Sequence, residues 1–113
     1  MSYDAGISDS IWYHIAITYN KDNTNAECLL YVDGELGAGF DEPQSDLDDS
    51  HTSPITIGDT KHEEQPFTGL IDEVAVWTRV LTSSQISAIY NSGSGIGNVA
   101  TSYSDNLELY IKV

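Results

Sequence analysis

An all-β domain, an antiparallel β-sandwich with one short helix, is the fold class this sequence predicts, on three observations. Apolar residues recur at every second position in several short runs. An Asp-Gly pair, Asp33-Gly34, divides two of those runs. One later run, after Leu81, changes to helical spacing behind a complete start signal. A length of 113 residues is room for one such domain.

In chain order, Ile11, Tyr13, Ile15, Ile17 and Tyr19 alternate with Trp12, His14, Ala16 and Thr18. Apolar bulk on both faces predicts a strand over 11–19 inside a sandwich. The polar stretch 20–25 is then a turn. Runs 27–32 and 35–40 flank Asp33-Gly34, which predicts a hairpin with a two-residue type I′ turn, because that turn needs positive φ at both central positions. Residues 41–53 form an acidic loop with five carboxylates. A short strand follows over 54–58, built on Ile55 and Ile57, then a polar loop over 59–66. The most apolar strand spans 67–77. Its alternation breaks near Asp72-Glu73, where a β-bulge would turn Ile71, Val74 and Val76 inward together. Thr82 reads as an N-cap with Gln85 as its capping-box partner, and Leu81 and Ile86 occupy the hydrophobic-staple positions. Gly93 supplies the stop. The chain thus divides into a partial sandwich over 1–92, a Gly/Ser-rich linker or loop over 93–104, and a terminal strand over 105–113, built on Leu107, Leu109 and Ile111, that closes the sheet or opens a next repeat.

Charge excludes several function classes. Eighteen Asp and Glu stand against four Lys and Arg, a formal net charge of -14. A nucleic-acid backbone would be repelled, as would an anionic membrane surface. No apolar run reaches the ~18 residues of a membrane span. The opening MSYDAGISDS has no basic residue and no apolar stretch, so no signal peptide is read there. Cys28 is the one cysteine, which excludes an internal disulfide, and its apolar surroundings predict a buried inert thiol.

Four segments, taken in order, resemble the laminin-G-like, or concanavalin A-like lectin/glucanase, superfamily: Trp12 to Thr18, Leu30 to Leu36, Ile55 to Gly58, and Phe67 to Trp77. The helix opening at Leu81 to Ile86 is similar to the one that follows this last strand in such domains. The resemblance implies a jelly-roll sandwich, an extracellular or virion-surface setting, and a glycan or surface protein as partner. It also implies strands ahead of Trp12, so the expectation is the C-terminal portion of a domain from a larger protein. Open strand edges would then invite self-association.

Some relatives of this fold are glycosidases, whose retaining members need two carboxylates about 5 Å apart, delivered from one strand face. Here Leu70 and Val74 flank Asp72 at the two-residue spacing, and Glu73 points to the other face. The acid and nucleophile pair is missing, and no G-x-S-x-G, P-loop or H-E-x-x-H motif occurs. The chain therefore reads as a non-enzyme. A calcium ion is the candidate cofactor, since hard cations take oxygens from loops, against the plainer expectation that Asp72 accepts backbone hydrogen bonds in the bulge and the acidic loop is solvated. Its predicted ligands are Asp72, beside the bulge, and Asp59, after the 54–58 strand, with the Asp46, Asp48 and Asp49 cluster as further donors. Trp12, Tyr31, Trp77 and Tyr90 are candidates for stacking on sugar rings, against the plainer expectation that they fill the core. The functional expectation is a non-catalytic recognition module; the alternative is a structural building block of an extracellular or phage-type assembly.

Overall fold

The computed structural model describes residues 4, 6–40, 55–59, 66–96 and 99–112. Among them the fold is mostly β, with two antiparallel sheets and one short helix. The first sheet has the order β1-β2-β3, formed by β1 (Ile15–Tyr19), β2 (Cys28–Val32) and β3 (Glu35–Phe40). The second pairs β4 (Val74–Trp77) with β5 (Leu107–Ile111). Helix α1 (Ser83–Tyr90) and a helical turn α2 (Val99–Ser102) lie between β4 and β5 in sequence.

The β2–β3 hairpin forms as its sequence predicts. Asp33 and Gly34 take φ of 52° and 79°, and Val32 pairs with Glu35 across the turn. A register shift follows at Leu30/Tyr31, where Tyr31 faces Leu36 while Leu30 faces Ala38. β1 is shorter than its alternation predicts. Asp33, the turn residue just after β2, already bonds His14, so β2 offers no ladder to residues 11–13.

The capping box is present in full. Thr82 Oγ1 accepts the Gln85 N–H at 3.2 Å, and Gln85 Oε1 accepts the Thr82 N–H at 2.9 Å. Leu81 and Ile86 are both buried, Ile86 to 1% exposure. The helix ends earlier than Gly93: Asn91 is its C-cap at φ 48°, ψ 49°. Asn tolerates this left-handed conformation, and Asn91 Nδ2 secures it by donating to the Gly95 carbonyl at 2.7 Å.

The core sits where α1 meets both sheets. Tyr31, Leu81 and Ile86 form it, with Ala16, Leu29, Trp77 and Ile89 packed around them. Ala16 and Tyr31 are cross-strand partners, so the His14, Ala16 and Thr18 face of β1 turns toward α1. The Ile15 and Ile17 face is left 48% and 71% exposed. Gly34 lies directly under the helix: a Cβ there would come within 3.1 Å of Ser87 Cα. α2 buries Val99 within the Gly/Ser-rich stretch.

Three expectations change. Residues 55–59 are not a strand; Ile55 and Ile57 are exposed, and Gly58 turns at φ 83°. The strand predicted over 67–77 is ordered as β only from Val74. Its break falls where the alternation fails, at Glu73, which takes φ 54°, while the register shift itself lies between Val76 and Trp77. The left-handed Glu73 ends the pairing ahead of β4, where Ile71 stays 38% exposed, and Val76, although paired with Leu109, is 39% exposed, so the two are not turned into a core together. Cys28, predicted buried, is half-buried. The acidic loop 41–53 lies outside the described residues, as does nearly all of the polar loop 59–66.

Candidate functional site

β1 has a sheet neighbour on one side only, and so does β4, among the described residues. Both strands line a single open cleft of about 1910 Å³. Trp12, Ile15 and Ile17 enter it from the β1 region, and Phe67, Leu70 and Ile71 from the segment ahead of β4. All six are exposed apolar side chains, Trp12 at 63%. Together they form a contiguous exposed apolar surface along the cleft.

The edge of β1 is polar in a specific way. His14 bonds Asp33, and Asn20 N–H donates to the Glu27 carbonyl, at the two ends of the β1–β2 ladder. Antiparallel bonding alternates, so Ala16 and Thr18 bond β2 between them. The N–H and C=O groups of Ile15 and Ile17 therefore face away from β2.

The stacking candidates sort cleanly. Tyr31 is core. Trp77 is half-buried, its Nε1 donating to the Tyr103 carbonyl at 2.8 Å. Tyr90 is half-buried with its ring 6.0 Å from that of His14. Trp12 is the one of the four that solvent reaches freely.

His14 lies at the junction of sheet, turn and helix. Its Nδ1 is buried without a hydrogen-bond partner among the described residues. Burial lowers the imidazole below the ordinary histidine value, and the Asp33 carboxylate opposes that shift.

Asp72 and Asp59 stand on segments that meet. Phe67 N–H donates to the Gly58 carbonyl at 2.7 Å, and a Cβ on Gly58 would touch Ile71 Cδ1 at 3.3 Å. Asp72 Oδ1 accepts the Glu73 N–H at 2.8 Å, fixing the left-handed Glu73. Glu73 Oε1 in turn bonds Lys112 Nζ at 3.2 Å, which raises the ammonium above its ordinary value and ties the start of β4 to the end of β5. Among the described residues no group of three or more His, Cys, Asp or Glu is placed to hold a metal ion. Asp46, Asp48 and Asp49 lie outside them.

Sequence reasoning missed the site's main feature. The Ile15 and Ile17 alternation is the signal of a buried strand face, and nothing local in sequence tells whether a second layer covers it. The His14–Asp33 link joins residues 19 apart and has no local signal either.

No helix among the described residues is long and apolar enough to cross a membrane. No curated protein and no solved structure matches the chain. The family of laminin-G-type domains described as the concanavalin A-like lectin/glucanases superfamily matches residues 3–87. That span holds the first sheet, the hairpin, β4 and the helix start, so the chain belongs to this superfamily.

Proposed function

We propose that the chain is a non-catalytic recognition module that binds glycan or protein on a cell or virion surface. In this reading its two sheets are parts of a jelly-roll sandwich, and the cleft between β1 and β4 is the binding surface. The carrying observation is Trp12, an indole exposed in a cleft lined by further exposed apolar side chains. An exposed aromatic face suits both a sugar ring and an apolar protein side chain.

The non-catalytic part rests on Leu70 and Val74, which stand where a glycosidase strand would carry carboxylates, and on Glu73, which is paired with Lys112. Calcium enters as an accessory, held by Asp72 and Asp59 with oxygens from the acidic loop. The meeting of Gly58 and Ile71, their chain neighbours, supports that placement. The open edges of β1 and β4 favour a second reading, a building block that assembles with itself or with other domains.

A glycan array and a surface-protein panel, probed with the chain and with Trp12→Ala, test the proposal. Retention that disappears in the variant, with unchanged circular dichroism, is the expected result. Retention by nothing on either panel, together with stable self-assembly, favours the building block instead.

A further inference from the structure

We infer that residues 99–112 form a strap that swings away from β4 as one unit, on a hinge at 91–95, while the first sheet and α1 stay folded. Opening takes from β4 the ladder it makes with β5, and from Trp77 the acceptor of its indole N–H. Val74 and Val76 line the cleft, so the β4 wall loosens when the strap opens and is rebuilt when it closes. The device does not depend on which ligand the cleft takes.

Three observations carry it. The links from the strap to residues 73–79 are mostly polar. Trp77 Nε1 donates to the Tyr103 carbonyl at 2.8 Å, and the Thr78 N–H and Arg79 Nε donate to the Asn106 and Asp105 carbonyls at 2.9 Å. The Lys112–Glu73 pair holds the far end, and no side chain of β5 is fully buried. Second, the apolar anchoring is separate. Among the described residues the core of Tyr31, Leu81 and Ile86, with the side chains packed on it, draws nothing from the strap. The strap's own buried residue, Val99 at 5% exposure, lies outside that cluster. Elements with little buried apolar contact open ahead of global unfolding. Third, the hinge is built to turn. Asn91, Ser92, Gly93 and Gly95 take φ of 48°, 53°, 84° and 61°, directly behind α1. Left-handed Asn and Ser store strain that opening relieves, and the two glycines absorb the change in φ and ψ at little cost.

Hydrogen exchange of the full chain in low urea, read by mass spectrometry over 28–32 and 107–111, tests the strap. The expected result is exchange at 107–111 about tenfold or more faster than at 28–32, with a weaker dependence on urea. Val99→Ala removes the apolar anchor and is expected to speed 107–111 about tenfold further, leaving 28–32 unchanged. Lys112→Gln is expected to speed 107–111 about two- to fivefold. Equal rates and equal urea dependence in the two segments overturn the strap, since β5 would then open only with the whole fold. Val99→Ala that speeds both segments alike, or that fails to fold, places Val99 in the global core and overturns it too. Val99→Ala that leaves 107–111 unchanged separates α2 from β5 and overturns the single unit.

Discussion

His14 and Asp33 hold each other at two points. The His14 N–H donates to Asp33 Oδ1 at 2.9 Å, and the Asp33 N–H donates to the His14 carbonyl at 2.8 Å. One residue thereby closes the hairpin, at φ 52°, and ends the β1–β2 ladder. Asp33→Ala loses the side-chain bond and places an alanine in the left-handed region, for a combined loss of about 2–3 kcal/mol in urea denaturation. Asp33→Asn keeps the acceptor and tolerates that conformation, so it is expected to retain most of the stability. Equal losses from the two variants would contradict the role assigned to Oδ1.

The same junction sets a pH dependence. Burial lowers the folded-state pKa of His14 beneath its unfolded value, so the unfolded chain binds the proton more readily. Its contribution is therefore present above the ordinary histidine pKa of about 6.5 and is lost as pH falls through the lowered value. The acidic surface acts in the opposite sense, since protonating carboxylates relieves repulsion at a formal -14. The expected outcome is a difference in Tm between the chain and His14→Gln that shifts against the parent from pH 7 to pH 5. A constant difference across that range would show that His14 does not titrate into the fold.

Helix α1 is the joint between the sheets, and Ile86 is its most buried side chain. Ile86→Ala is expected to cost about 2–5 kcal/mol, a large part of the stability of a small core. Thr82→Ala removes only the cap and is expected to cost about 1 kcal/mol. Thermal unfolding that ranks these two the other way would place the core elsewhere.

Calcium is tested by Tm in millimolar calcium and again in EDTA, for the chain and for Asp72→Asn. A ligand bound only to the folded state raises Tm by mass action, so an upward shift that disappears in the variant is expected. An identical Tm in the two conditions would remove calcium from the account.

The elements most legible in sequence are those whose determinants are local. Asp33-Gly34 prescribes positive φ at two successive residues, and Thr82 with Gln85 satisfies helix-end groups within four residues; both features formed as read. Elements that need distant partners were less legible. Ile55 and Ile57 have strand-forming side chains but no ladder among the described residues, and Phe67 to Glu73 stays irregular because Glu73 turns left-handed. The site shows the same division. Trp12 was readable as a candidate, whereas its exposure depends on what lies opposite β1, which no local spacing encodes.

The central claim is that the cleft between β1 and β4 stands open and that Trp12 reads it. Acrylamide quenching of Trp77→Phe, with Trp12→Phe as the complementary variant, measures this directly. The account predicts strong quenching of Trp12 and weak quenching of Trp77. A Trp12 as shielded as Trp77 in the free chain would mean the cleft is already filled, and would contradict it.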